Sequence, residues 1–220
     1  MNIESYIDHT LLKANASLDD IITLCNEAIQ YHFYAVCVNP THVHFCKQIL
    51  NETQIKIATV VGFPLGAIDT KSKIFEATNA IQNGANEIDM VINIGYLKSK
   101  LYSEVENEIA ELKKNIGNHI LKVIVETCYL TTEEKKIITK IVLNAGADFI
   151  KTSTGFGTAG ATEEDIILMQ NILQNKIKIK ASGGIKDAAT AIKFIQLGAS
   201  RIGTSAGVDI ILEKTSNSNY

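Results

Sequence analysis

The sequence predicts a single-domain α/β fold, a (β/α)8 TIM barrel, on three observations. Short β-branched runs alternate with longer amphipathic stretches from end to end, eight such runs can be counted, and three glycine-centred junctions recur along the chain. The strands are expected near residues 7–10, 35–39, 56–62, 87–94, 121–126, 149–154, 177–182 and 201–205, and helices include 18–31, 71–82, 133–144, 163–175 and 188–196. Asn83-Gly84-Ala85, Ala145-Gly146-Ala147 and Leu197-Gly198-Ala199 each close a helix, where glycine suits a left-handed cap, and lead into a strand. Their spacing accommodates two β-α units per interval, of about 26 to 31 residues each. A chain of 220 residues therefore fits one barrel over residues 1–214 and a flexible polar tail over 215–220. A doubly wound open sheet shares the alternation, but no G-x-G-x-x-G follows the first strand, which argues against its dinucleotide-binding form.

Composition narrows the partners. With 46% hydrophobic and 20% charged residues the chain has the makings of a sizeable core. A formal net charge of -3, without long basic runs, provides no broad attraction to nucleic acid or to an anionic membrane. Cys25, Cys37, Cys46 and Cys128 lie in apolar periodic stretches with no C-x-x-C pair and no secretory leader, so reduced thiols and a cytoplasmic location are expected, with Cys37 and Cys128 as buried small hydrophobes. Asn15-Ala16-Ser17 and Asn51-Glu52-Thr53 match the glycosylation pattern but are expected to be inert. His42 and His44 are two apart on an expected helix and do not face one another, so no metal site is assigned to them. His9 reads as a structural residue at a strand end.

Side chains alternate across a strand, so in Glu87-Ile88-Asp89-Met90-Val91-Ile92 the residues Ile88, Met90 and Ile92 share the helix-facing side and Asp89 points into the barrel. The same test turns Lys151 away from Ile150 and Lys180 away from Ile179. Lys122 and Glu126 form a further candidate pair. Active sites of such barrels lie at the C-terminal ends of the strands, where Lys151 and Lys180 fall. A buried salt-bridge network is the structural alternative. Two lysines on adjacent strands repel, however, and at least one pKa should fall. A neutral lysine attacks a carbonyl to give an iminium, an electron sink, and a carboxylate with a second lysine can then move the protons. Alternation does not decide which lysine is covalent.

Two late strands run into Ser182-Gly183-Gly184-Ile185 and Gly203-Thr204-Ser205-Ala206-Gly207, each before a helical stretch. Loops after the seventh and eighth strands of such barrels often bind phosphate, and clustered backbone N–H groups at a helix start favour an anion. The substrate should therefore carry phosphate. Gly155 and Gly157 leave room beside Lys151, and Gly62-Phe63-Pro64-Leu65-Gly66 reads as a turn or a substrate-facing loop.

From Asp8 to Gly207 the chain closely resembles the deoxyribose-phosphate aldolase family. The resemblance is carried by Asp8-His9-Thr10-Leu11-Leu12-Lys13, Cys37-Val38-Asn39-Pro40, Val61-Gly62-Phe63-Pro64-Leu65-Gly66, Glu87-Ile88-Asp89-Met90-Val91-Ile92-Asn93, Lys122-Val123-Ile124-Val125-Glu126-Thr127, Phe149-Ile150-Lys151-Thr152-Ser153-Thr154-Gly155-Phe156, Lys180-Ala181-Ser182-Gly183-Gly184-Ile185 and Arg201-Ile202-Gly203-Thr204-Ser205-Ala206-Gly207. It implies reversible cleavage of 2-deoxy-D-ribose 5-phosphate to D-glyceraldehyde 3-phosphate and acetaldehyde, without metal or organic cofactor, by a homo-oligomer acting in deoxynucleoside catabolism. It also implies Lys151 as the Schiff-base amine and Asp89 with Lys180 as the proton donor and acceptor pair. Thr10, Thr154 and Lys122 are supporting candidates, the two threonines as holders of a relay water; Gly183, Gly184, Gly203 and Ser205 are the phosphate candidates. Some relatives carry a lysine where this chain has Phe156, and many read L-K-P where it has Leu12-Lys13-Ala14, a change expected to affect only a turn. Tyr220 reads as part of a disordered tail, with a role as acid or base the alternative. Two rivals stay open: another Schiff-base lyase or transferase of the transaldolase kind, and a non-catalytic sugar-phosphate-binding barrel.

Overall fold

The computed structural model describes residues 2–213; the expected polar tail and Tyr220 lie outside the described residues. Eight parallel strands close into a barrel in chain order: β1 (Ile7–Leu11), β2 (Ala35–Val38), β3 (Lys56–Val61), β4 (Glu87–Val91), β5 (Ile120–Ile124), β6 (Phe149–Lys151), β7 (Lys178–Ser182) and β8 (Ala199–Thr204). The helices α1 (Leu18–Gln30), α2 (Val43–Ile49), α3 (Thr70–Gln82), α4 (Ile94–Lys98), α5 (Tyr102–Ile116), α6 (Thr132–Asn144), α7 (Glu163–Leu173), α8 (Ala188–Gln196) and α9 (Gly207–Ile211) connect and cover them.

Local chemistry sets the boundaries. Ser17 and Thr131 start α1 and α6 with reciprocal capping boxes, through Asp20 and Glu134. Gly84, Gly146 and Gly198 have φ of 112°, 79° and 114° and end α3, α6 and α8 at the junctions expected from the sequence. Strand β4 stops short of the expected residue 94, because the Asn93 side chain caps α4 by accepting from the Tyr96 N–H. Strand β5 likewise ends at Ile124, and Glu126 beyond it turns into the left-handed region at φ 52°. The long helix α5 lies outside the expected helix ranges, and Val105, Ile109, Leu112 and Ile116 mark its buried stripe.

The main core lies between strands and helices, where Val36, Ile88, Met90, Leu121, Val123, Ile150 and Ile202 are fully buried against the helical ring. A smaller apolar cluster of Leu12, Cys37, Ala58 and Val60 fills the inside of the barrel along β1 to β3. The strands from β4 onward, together with Asp8 of β1, bring charged side chains into the rest of the interior.

One ion pair is buried outside the barrel. The Lys73 ammonium donates to Glu108 at 2.7 Å and to the Val91 carbonyl at 2.8 Å, while Glu108 accepts from the Asn93 N–H, so α3 and α5 are tied to the end of β4. Removing one partner strands the other charge in an apolar layer. Lys73→Met is expected to lower the unfolding free energy by about 3 to 5 kcal/mol in urea titrations, and Lys73→Met with Glu108→Gln to recover part of it; equal stability of Lys73→Met and the parent would refute this account.

Candidate active site

Strand alternation puts Asp8, Glu87, Asp89, Lys122, Lys151, Lys180 and Arg201 inside the barrel, each no more than 4% exposed. The register places Asp89 beside Lys122 and Lys151 beside Lys180. Asp89 accepts from three lysines: Lys122 reaches its Oδ1 at 2.7 Å, while Lys151 and Lys180 both reach its Oδ2 at 2.8 Å. Lys122 also pairs with Glu87 at 2.6 Å, and Lys180 also donates to Asp8. At the closed end, Arg201 spans Asp8 at 2.7 Å and Glu87 at 3.1 Å, with its guanidinium 3.3 Å from the centre of the Tyr34 ring.

This arrangement separates the lysines by charge. Three carboxylates face four basic side chains, and each ammonium of Lys122 and Lys180 has at least two carboxylates, whereas Lys151 shares only Asp89. Burial pushes the Lys151 pKa below the ordinary lysine value, and the neighbouring Lys180 lowers it further against the pull of Asp89. Burial works against Lys180 as well, yet Asp8 and Asp89 hold its pKa above the ordinary value; Asp89 and Glu87 do the same for Lys122. Asp89, despite its burial, is held well below the carboxylate range by Lys122, Lys151 and Lys180. With Lys151 neutral, the charges inside the barrel balance.

Lys151 is also the member of the trio that reaches a cleft at the C-terminal ends of the strands. Thr10, Thr154, Gly183, Gly184, Gly203 and Ser205 line the same cleft, so the residues nominated from the sequence converge, with Lys122 beneath them in the network. Thr10 donates its hydroxyl to the Asp8 carbonyl, which leaves it as an acceptor toward a bound water, whereas the Thr154 hydroxyl donates to Glu126 and accepts from the Phe156 N–H and so is taken up in the wall of the cleft. Gly183 and Gly184 have φ of 85° and 76°, a conformation suited to glycine. Gly203 has a different reason: a Cβ there would come within 3.0 Å of the Lys180 Cε and the Ser182 Cβ.

Three expectations change. Lys122 and Glu126 are not partners: four residues along a strand is roughly 13 Å, and Glu126 binds Thr154 instead. At the start of α8 the Asp187 carboxylate accepts from the Thr190 N–H, so the chain's own anion already stands where a substrate anion was expected. Cys37 is buried inside the barrel, but Cys128 is only half-buried, with its Sγ 3.9 Å from Glu126. Asp8, Glu87 and Arg201 complete the network without having been singled out, although alternation against Ile7, Ile88 and Ile202 places all three inside. Lys186, which follows the glycine pair and lines the cleft, carries no periodic signal.

The pKa values of Asp8 and Asp89 are lower in the folded protein than in the unfolded chain, so the stability they confer is present above the unfolded carboxylate pKa and is lost as pH falls through the folded values. Urea unfolding followed from pH 7 downward should show stability falling below about pH 4. Asp8→Asn should be less stable at neutral pH and show a shallower decline in acid; an unchanged slope would exclude Asp8 from the acid response.

Comparisons with known proteins agree with this geometry. Residues 3–213 match the model of the DeoC/LacD family of aldolases. The deoxyribose-phosphate aldolase of Coprothermobacter proteolyticus is 53% identical over 213 residues, covering 97% of each chain. The solved structure of the aldolase QR15 superposes with a TM-score of 0.93 at 44% identity, covering 96% of this chain and 95% of that one. The tetrameric deoxyribose phosphate aldolase of Aeropyrum pernix superposes with a TM-score of 0.86 at 29% identity, covering 96% and 89%. With a family model spanning nearly its whole length and a barrel superposing on solved aldolases, the chain belongs to the DeoC/LacD family of aldolases.

Proposed function

We propose that the chain is a class I aldolase that reversibly cleaves 2-deoxy-D-ribose 5-phosphate to D-glyceraldehyde 3-phosphate and acetaldehyde, with Lys151 as the covalent amine. The observation that carries this is the coincidence of two properties in Lys151: it lines the cleft, and its pKa is lowered while those of Lys122 and Lys180 are raised. The relatives named as deoxyribose-phosphate aldolases supply the substrate.

In this scheme the neutral Lys151 amine adds to the C1 aldehyde of the open-chain sugar, and loss of water gives an iminium. The C2–C3 bond then breaks: its electron pair moves toward the iminium to form an enamine, and the C3 hydroxyl loses its proton to leave as the new aldehyde. Protonation of the enamine carbon and hydrolysis release acetaldehyde and regenerate the amine. Asp89 and Lys180, joined at 2.8 Å beside Lys151, are the groups placed to take and return these protons. Because Asp89 is held ionised and Lys180 protonated, the resting pair offers one acceptor and one donor.

The phosphate is assigned to the loop N–H groups of Gly183, Gly184, Gly203 and Ser205, with Lys186 as the cation that Phe156 does not supply. Phe156 instead packs edge-on against Phe63, with ring centres 5.3 Å apart. A cytoplasmic homo-oligomer fits four free cysteines and the tetrameric relative; among the described residues no helix is long and apolar enough to cross a membrane.

Sodium borohydride reduction in the presence of 2-deoxyribose 5-phosphate or acetaldehyde, read by peptide mass spectrometry, should place a stable adduct on Lys151 that disappears in Lys151→Ala. Lys180→Met should lower kcat about 10²- to 10⁴-fold. An adduct on Lys180 would reverse the two roles, and no adduct under conditions that trap another class I aldolase would favour a sugar-phosphate-binding protein.

A further inference from the structure

Glu126 is a buried carboxylate that the reaction above leaves unused. It is 2% exposed and stands at φ 52° and ψ 68°, a left-handed conformation that side chains other than glycine enter at a cost. That turn carries its carboxylate onto Thr154. The Thr154 N–H lies 3.2 and 3.3 Å from the two carboxylate oxygens, and the Thr154 hydroxyl donates to Oε2. The same hydroxyl oxygen accepts from the Phe156 N–H at 3.0 Å, folding Thr154-Gly155-Phe156 into a tight loop. Both polar hydrogens of Thr154 therefore end on Glu126, and among the described residues no basic side chain forms an ion pair with this carboxylate.

The loop held in this way is one wall of the cleft. Thr154, Gly155 and Gly183 all line it, and the Gly155 Cα lies 3.6 Å from where a Cβ of Gly183 would stand, so the two loops pack against each other. Lys151 does not depend on Glu126 for its place. The Val125 N–H donates to the Lys151 carbonyl at 3.0 Å and the Thr127 N–H to the Thr152 carbonyl at 2.9 Å, so backbone bonds on either side of Glu126 continue the pairing of β5 with β6.

We propose that Glu126 is a positioning residue for recognition of the substrate's phosphate: through Thr154 it sets Gly155 against Gly183, and it takes no part in the chemistry at Lys151. The proposal rests on assigning the phosphate to the Gly183-Gly184 loop. It separates binding of the phosphate from turnover, because the carboxylate fixes the loop while the strand ladder fixes the amine.

The test compares Glu126→Gln, Thr154→Val and Thr154→Ser on 2-deoxyribose 5-phosphate and on unphosphorylated 2-deoxyribose. Glu126→Gln and Thr154→Val should each raise KM for the phosphorylated sugar about tenfold, the loss expected for a charged hydrogen bond, with kcat changed less than about twofold. Thr154→Ser, which keeps the hydroxyl, should behave as the parent, and the double variant Glu126→Gln with Thr154→Val should be no worse than either single one. Activity on 2-deoxyribose and borohydride trapping of acetaldehyde should be unchanged. An equal loss on both sugars, a fall in KM, or additive effects in the double variant would overturn the proposal. Calorimetric titration with inorganic phosphate makes the result independent of the cleavage reaction. Affinity about tenfold weaker in Glu126→Gln, or in Thr154→Val if Glu126→Gln does not fold, supports it; affinity equal to the parent's overturns it, whatever sugar the parent cleaves.

Discussion

The three bonds that Asp89 accepts from Lys122, Lys151 and Lys180 are the interaction on which the rest of this barrel depends. A carboxylate at that depth is costly unless paired, and lysines at that depth are equally costly. The chain places both in register on neighbouring strands and so satisfies each with the other. The pairing is unequal, however. Lys122 and Lys180 each draw on further carboxylates from Glu87 and Asp8, whereas Lys151 has a share of Asp89 alone. In a medium of low dielectric that inequality decides which amine gives up its proton.

The closed end of the barrel sustains the inequality. Arg201 clamps Asp8 and Glu87 and is roofed by the Tyr34 ring, so the two outer carboxylates are held toward the lysines they serve. On the other side of the interior, Cys37, Ala58 and Val60 form an apolar wall with Leu12. Cys37 stands close enough to the charged half for Lys180 and Lys151 to act on its thiol, although burial dominates and raises its pKa. The interior thus joins a dry wall to a charged one. Lys151 sits where the charged wall meets the cleft, with the charge network below it and the glycine loops around its mouth.

Those loops follow a different logic from the strands. Around Lys151 the geometry is fixed by backbone pairing, in which a residue's place is set by register. Past the last strand residues it is fixed by side chains acting on neighbouring backbone: Thr152 and Ser182 bond across to each other's strands, Ser182 donates to the Ser153 carbonyl, and Glu126 holds Thr154. Gly160 fits against Gly183 with no room for a Cβ, which would come within 2.0 Å of the Gly183 carbonyl oxygen. Rigidity at the chemical centre is therefore built separately from the shape of the mouth.

By itself the sequence determined eight strands alternating with helices and, on each strand, that the charged side chains turn away from the helix-facing side. Eight period-two runs separated by amphipathic stretches are visible locally, and the alternation that faces Ile88 outward turns Asp89 inward whatever lies elsewhere in the chain. Glycine junctions are equally local, since a left-handed cap needs only its own residue. Tertiary structure alone decided which lysine lacks a full set of carboxylates and that Glu126 binds Thr154 instead of Lys122. These outcomes depend on distances between residues as far apart in the chain as Asp8 and Lys180, or Glu126 and Thr154. Periodicity fixes the direction of a side chain from its own strand, but its partner is fixed only when eight strands close and set the register.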